Sequence, residues 1–164
     1  MTRWHALEPA DADFFDSAPH VFTYQKRFAA PPERVWESLT SDESIAAWSP
    51  AIKEVTWTSA RPFGVGTTRE VALPIGPRMR ERYFRWDEVR RHSFAAYESS
   101  LPLFKRFAED YLVEPDGAVT LFTWTIAIEP KGALALPVKV IAPALKAAFG
   151  RMPSDGQQYF AKKT

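Results

Sequence analysis

The stretch Phe104-Lys105-Arg106-Phe107-Ala108-Glu109-Asp110-Tyr111-Leu112-Val113-Glu114-Pro115-Asp116-Gly117-Ala118-Val119-Thr120-Leu121-Phe122-Thr123-Trp124-Thr125-Ile126-Ala127-Ile128 decides how this chain is read. Asp116-Gly117 lies between two alternating runs, a strong signal for a two-residue hairpin turn. Counting outward from a turn centred on that pair sets Tyr111 opposite Phe122, Glu109 opposite Trp124 and Phe107 opposite Ile126. Side chains alternate between faces along a strand. One face therefore carries Phe107, Glu109, Tyr111, Phe122, Trp124 and Ile126, apolar and aromatic with one carboxylate in its middle. The other carries Ala108, Asp110, Thr123, Thr125 and Ala127, and is expected to face water.

The same counting extends upstream. A four-residue turn at Ser100-Leu101-Pro102-Leu103 sets Glu98 opposite Lys105, Ala96 opposite Phe107, Phe94 opposite Glu109 and His92 opposite Tyr111. Glu98 and Lys105 are then expected to form an ion pair. Lys105 cannot reach Glu109, because four residues of strand span roughly 13 Å. Strands are expected at 52–58, 67–74, 78–87, 91–99, 104–114 and 118–129. Gly64-Val65-Gly66, Gly76-Pro77, the bend from Asp87 to Arg90, and Leu101-Pro102 separate them. Short connections make these strands antiparallel neighbours. Val71 and Leu73 are expected to point inward with the aromatic face.

Ahead of them, Val21 to Phe28 alternates as a first strand. Pro31-Pro32-Glu33 starts a helix, with proline in the first turn and an acid at the positive end of the dipole. Val35, Trp36 and Leu39 form its apolar side. A second short helix spans Asp42 to Trp48 and stops at Pro50. Ala133 to Phe149 has helical spacing, with Ile141, Leu145 and Phe149 recurring every four residues and expected to face the sheet. Pro143 should kink or break that helix, and Gly150 and Pro153 should interrupt it again before Gln157. Residues 1–19 read as an irregular leader pinned by Phe14 and Phe15, and 20–164 as a single α+β domain.

Composition narrows the function classes. The 164 residues are 46% hydrophobic and 14% aromatic, with twelve Phe and six Trp, enough for a large core or a wide apolar pocket. A net charge of +1 argues against binding nucleic acid through bulk charge. The arginines between Arg78 and Arg91 are interleaved with Glu81, Asp87 and Glu88, as on a solvated strand face. With no cysteine, disulfides, thiolate metal sites and a cysteine nucleophile are excluded. No stretch is expected to approach the roughly 18 apolar residues of a membrane span. Residues 1–16 have no apolar core of a secretion signal. A cytoplasmic protein without stable membrane insertion, monomer or homodimer, is expected.

Three segments carry a resemblance to a known superfamily. They are the first strand leading into Phe28-Ala29-Ala30-Pro31-Pro32-Glu33-Arg34-Val35-Trp36-Glu37-Ser38-Leu39; Trp48-Ser49-Pro50 with the later Gly64-Val65-Gly66-Thr67; and Tyr111 to Gly117 followed by Thr120-Leu121-Phe122-Thr123-Trp124. Over about residues 20–160 the chain resembles the START-like, or SRPBCC, superfamily. That superfamily includes the birch-pollen-allergen fold and the polyketide cyclase/dehydrase and lipid-transport families. The resemblance implies a helix-grip fold: a curved seven-stranded antiparallel sheet wrapped around a C-terminal helix, two short helices after the first strand, and a hydrophobic cavity between sheet and helix. It also implies that the Gly64-Val65-Gly66 loop guards the cavity entrance.

On that fold the aromatic hairpin face becomes a cavity wall. Candidate ligand contacts are Leu39, Val71, Leu73, Phe94, Phe107, Glu109, Tyr111, Phe122, Trp124, Ile141, Leu145 and Phe149. Glu109 is singled out because desolvation disfavours an ionised carboxylate on such a face. It could pair with Arg69 or Arg82, anchor a ligand's polar end, or act as an acid or base. His92 is the other weak catalytic candidate. No metal site is expected, since His92 has no second ligand near it, and no cofactor motif is present. The expectation is a binding or carrier protein for a hydrophobic small molecule such as a lipid, polyketide or isoprenoid. The alternatives are a polyketide cyclase or dehydratase using Glu109 or His92, and an interaction module whose aromatics only fill a core.

Overall fold

The computed structural model describes residues 1–163. The elements are β1 (His5–Ala6), α1 (Phe14–Ser17), β2 (His20–Phe28), α2 (Pro32–Leu39), a 3-10 turn (Ser44–Ala47), β3 (Glu54–Trp57), β4 (Thr68–Ala72), β5 (Arg78–Asp87), β6 (Arg91–Ser99), β7 (Phe104–Asp116), β8 (Val119–Pro130), a second 3-10 turn (Gly132–Leu134), α3 (Ala135–Phe149) and α4 (Arg151–Ala161). Seven strands form one antiparallel sheet in the order β2-β8-β7-β6-β5-β4-β3, and β1 pairs with β6. The architecture is the α+β helix grip.

The central hairpin is shifted from the expected register by two residues. Tyr111 lies opposite Trp124, Glu109 opposite Ile126 and Phe107 opposite Ile128. The turn is Gly117-Ala118, closed by the Asp116–Val119 pair. Gly117 takes φ +66° at the first turn position, where only glycine is unstrained. A slip of two preserves side-chain parity, so the inward face is still Phe107, Glu109, Tyr111, Phe122, Trp124 and Ile126, all buried.

The upstream register is as expected for His92–Tyr111 and Phe94–Glu109, but the ladder stops at Ala95–Ala108. Ala96–Phe107 and Glu98–Lys105 do not pair because the N-terminal segment wedges between the strand ends. Ala6 pairs with Glu98, Leu7 N–H donates to the Tyr97 carbonyl, and Glu8 N–H donates to the Lys105 carbonyl. Glu98 instead accepts from Arg80 at 2.8 Å, and Lys105 bonds Glu129 at 3.2 Å.

The leader is therefore structured rather than irregular. α1 places Phe14, 2% exposed, over Ala108 and Ala127 on the outer face of the sheet, with Phe15 beside it. That face was expected to be wet. Instead Ala108, Asp110, Thr123 and Ala127 are buried.

Strand β5 holds two irregularities. Met79, Glu81 and Tyr83 point inward and are buried. The bulge between Tyr83 and Arg85 resets the alternation. Phe84 then packs on the outer cluster, while Trp86 turns to the main core.

The C-terminal helices depart furthest from expectation. Pro143 sits inside α3 without ending it. It deprives the Lys139 carbonyl of its helical donor, but Lys139 is exposed and water can serve that group. Gly150 has helical dihedrals, and α4 begins at once. The inward stripe is Leu134, Val138, Ala142, Leu145 and Phe149, all half-buried. Ile141, expected on that stripe, is 48% exposed. No α3 residue is fully buried, whereas α4 buries Met152, Pro153, Gly156 and Phe160. Gly156 has no room for a side chain: a Cβ would come within 2.9 Å of both Phe28 and Trp48. The helical stretch Gly132–Ala161 is long and apolar enough to cross a membrane by length and composition. Counting uninterrupted apolar residues misses it because Lys139 and Lys146 break the run.

Candidate ligand cavity

Between the sheet, α3 and α4 lies a cavity of about 290 Å³. Strand parity supplies most of its wall. Val71 and Leu73 come from β4 and its exit, Met79 and Glu81 from β5, Phe107, Glu109 and Tyr111 from β7, and Trp124 and Ile126 from β8. Ala148, Phe149 and Met152 close it from the helices, and Ile45 and Ile52 from the connection before β3. A void of this size is more than a core of close-packed side chains leaves. A larger groove, about 570 Å³, lies on the outside between α2 and α4. Arg34, Glu37, Asp42, Glu43 and Lys163 line it together with Ala30, Pro31, Tyr159 and Phe160.

Of the expected contact residues, Val71, Leu73, Phe107, Glu109, Tyr111, Trp124 and Phe149 border the cavity. Leu39, Phe94 and Phe122 do not. They are fully buried in the core behind it, Phe122 stacked on Phe28 at 4.8 Å. Leu145 packs on the core without reaching the void, and Ile141 faces out. No residue of the Gly64-Val65-Gly66 loop borders it.

The polar end is a cluster of three buried ionisable groups, Arg69, Glu81 and Glu109. Arg69, 1% exposed, donates from Nε to Glu81 Oε2 at 2.7 Å and from a terminal nitrogen to Ser44 Oγ at 3.3 Å. The sequence offers Glu109 two cations as partners, Arg82 and Arg69. The structure gives it to Glu81, and sends Arg82 to the outside over the Tyr97 ring. Glu109 has no ion pair of its own among the described residues. Its Oε2 accepts from Tyr111 Oη at 2.9 Å and from Trp124 Nε1 at 2.8 Å.

One buried cation faces two buried carboxylates, so ionising both leaves a net negative charge in an apolar interior. Burial raises both carboxyls, and the Arg69 contact offsets this chiefly for Glu81. Glu109 is pushed up to about 8, by burial first and then by the nearby Glu81 charge, against the lowering effects of Arg69, Tyr111 and Trp124. Glu109 is therefore mostly a neutral acid at pH 7, able to donate one hydrogen bond.

His92 is not part of this cluster's wall. It is 0% exposed, and its ring is enclosed by Trp36, Tyr83, Trp86, Phe94 and Tyr111, with centroids 5.0–6.2 Å away. Among the described residues neither ring nitrogen finds a hydrogen-bond partner. Burial first, then the Arg69 charge, holds it well below the ordinary histidine range, so it is neutral.

Glu81 is the polar group that sequence reasoning missed. Its signal was present: Met79-Arg80-Glu81-Arg82-Tyr83 alternates, placing Glu81 between two inward residues. Among the described residues no cluster of His, Asp and Glu has the arrangement of a metal site.

Residues 19–155 match the family described as polyketide cyclase / dehydrase and lipid transport. An uncharacterised protein of Mycobacterium tuberculosis, Rv2574, is 32% identical over 155 residues, covering 94% of this chain and 93% of its own. Among solved structures, a START superfamily protein from Mycobacterium smegmatis aligns with TM-score 0.74 at 15% identity, over 88% of this chain and 99% of that one. TTHA0849 from Thermus thermophilus aligns with TM-score 0.71 at 17% identity, over the same share of this chain and 99% of its own. With the sheet, the gripping helices and the cavity in place, the chain belongs to the polyketide cyclase / dehydrase and lipid-transport family.

Proposed function

We propose that this protein binds and carries a compact hydrophobic molecule, lipid-, polyketide- or isoprenoid-like, whose single polar group is uncharged. One observation carries this reading: an apolar cavity of about 290 Å³ is bordered by a buried carboxyl, Glu109, that has no ion pair among the described residues and that burial pushes up to about 8. The volume lies at the lower edge of the roughly 300–1,000 Å³ typical of small-molecule pockets. Affinity comes from burying apolar surface, about 25 cal/mol per Å² before ordering costs. Protonated Glu109 donates to a hydroxyl or carbonyl oxygen of the ligand. A carboxylate ligand would bring a second negative charge next to Glu81 into the same apolar interior. We further propose that 20–164 act as one ligand-binding domain in the cytoplasm.

Two measurements test this. Native mass spectrometry of protein purified from its own cells is expected to show a co-purifying lipophile. Calorimetry at pH 7 is expected to show 1-decanol binding at least about tenfold more tightly than decanoate, a difference of about 1.4 kcal/mol. Equal or tighter binding of decanoate would overturn the assignment of the polar end.

An enzymatic reading has one observation in its favour: a carboxyl near pKa 8 in a cavity is suited to general acid–base work at neutral pH. In a cyclase or dehydratase Glu109 would hold the proton, with Tyr111 and Trp124 fixing its orientation. His92 takes no part in this version, since aromatic rings separate it from the cavity. Turnover of a polyketone substrate that disappears in Glu109→Gln would favour it over simple carriage.

A further inference from the structure

α3 has its charge and its apolar surface in the wrong place for a helix that only covers a core. Its inward stripe runs through Val138, Ala142, Leu145 and Phe149, all half-buried. At about 100° per residue, Leu136, Val140, Pro143 and Ala147 fall on the opposite side, where a water-facing helix carries polar residues. Leu136 is 71% exposed and Val140 72% exposed. Lys139 and Lys146 lie along one flank of this outer apolar face, seven residues apart. From Pro130 to Ser154 the charged residues are Lys131, Lys139, Lys146 and Arg151, with no acid among them.

The neighbouring loops carry exposed apolar residues too. Ile75 is 94% exposed between Leu73 and Pro77, which both border the cavity. Leu101 is 41% exposed three residues before Phe104, another cavity-wall residue. Ala148 and Phe149 bring α3 itself to the cavity. Three segments that wall the cavity thus extend into exposed apolar surface.

We propose that α3 is an interfacial docking helix. It lies flat on an anionic lipid surface, with Leu136 and Val140 immersed among the acyl chains. The long stems of Lys139 and Lys146 reach back to the phosphates. A protein partner with an acidic apolar groove, or a second copy of this chain, would also cover apolar surface. The bilayer is favoured because the cations of α3 have no acid interleaved along the helix, and Glu129, in the groove beside Lys139, is already paired with Lys105 and Arg106, an arrangement that complements an anionic plane. A second copy would bring the same lysines together unless it docked off-axis. The docking goes beyond the carrier reading and is measured without any cavity ligand. Its place in the fold sets the cavity beside the membrane from which a lipophile is drawn.

The test is flotation of the purified protein with dioleoyl-phosphatidylcholine vesicles, with and without about 30% dioleoyl-phosphatidylglycerol, at low salt and at about 0.5 M salt. Wild type is expected to float with the anionic vesicles, at least about tenfold less with neutral ones, and to come off in high salt. Leu136→Glu with Val140→Glu is expected to weaken binding at least about tenfold, and Lys139→Glu with Lys146→Glu comparably. Both pairs are exposed, so the melting temperature is expected to stay put and serves as the folding control. Absence of wild-type binding to anionic vesicles would overturn the proposal. So would equal binding to neutral vesicles, or unchanged binding by the Leu136/Val140 variant. A stable solution dimer that the same variant converts to monomer would also overturn it, assigning the face to a second copy. Decanol binding that survives in a variant unable to float separates failure of docking from failure of the cavity reading.

Discussion

Glu109 shows how an ordinary residue becomes unusual through its neighbours. Its folded-state pKa of about 8 lies above the 4.5 of an exposed carboxyl. The neutral form is favoured by folding, so its contribution to stability is fully present below about pH 4.5 and is lost as pH rises through about 8. Wild type is therefore expected to lose on the order of 2–4 kcal/mol of stability across that window, and Glu109→Gln to lose much less. Denaturant titrations at a series of pH values check this, and parallel curves for the two proteins would refute it. Arg69 and Glu81 allow a second test. Arg69→Met leaves a buried carboxylate unpaired and is expected to cost about 3–5 kcal/mol, while Arg69→Met with Glu81→Met recovers most of it. Urea unfolding of the two variants measures the difference.

Sequence reading reached Glu109 because alternation along β7 is a local property. It missed the link to Glu81 because the Glu81–Arg69 pair crosses β4 and β5, and a single strand's pattern does not say which inward residues meet. It misassigned Leu39, Phe94 and Phe122 for a related reason. Facing inward is a matter of parity, but bordering the void depends on how far the helices stand from the sheet at each point.

Among the elements, hairpin β7–β8 and helix α4 make a contrast. A shift of two residues in the hairpin left every side chain on its expected face, so the core was legible although the turn was misplaced. Gly117→Ala, at φ +66°, is expected to cost about 1 kcal/mol. Gly156 carries no sequence signal beyond a glycine in a helical run, yet Phe28 and Trp48 close on it from either side. Gly156→Ala is expected to destabilise by about 1–3 kcal/mol through overpacking, despite alanine's better helix propensity. A rise in melting temperature would show that the ring pair yields freely. The leader is the third case. Phe14 covers Ala108 and Ala127, so Phe14→Ala is expected to cost about 3 kcal/mol and to loosen α1. Hydrogen exchange of the Ala108 and Ala127 amides would report the exposed outer face.

For the whole molecule, ligand and fold are coupled by mass action. A cavity ligand at about a hundred times its dissociation constant stabilises by about 2.7 kcal/mol, so decanol is expected to raise the melting temperature in proportion to the logarithm of its concentration. This property belongs to no single element, since sheet, α3 and α4 each supply part of the wall.

Motifs in order carried the resemblance to the family, while local pattern by itself determined strands β2 to β8, the aromatic inward face of β7 and β8, and the proline-started helix. These depend on chain stereochemistry and on periods of two and 3.6 residues, which any segment carries within itself. Tertiary structure alone decided that Arg69 and Glu81 share a cavity with Glu109, that the N-terminal segment through Glu8 wedges between β6 and β7, that α1 covers the outer face, and that α3 turns Leu136 and Val140 to the outside. Each of these is a meeting of residues far apart in the chain, settled by the packing of whole surfaces and by competition for the same partners.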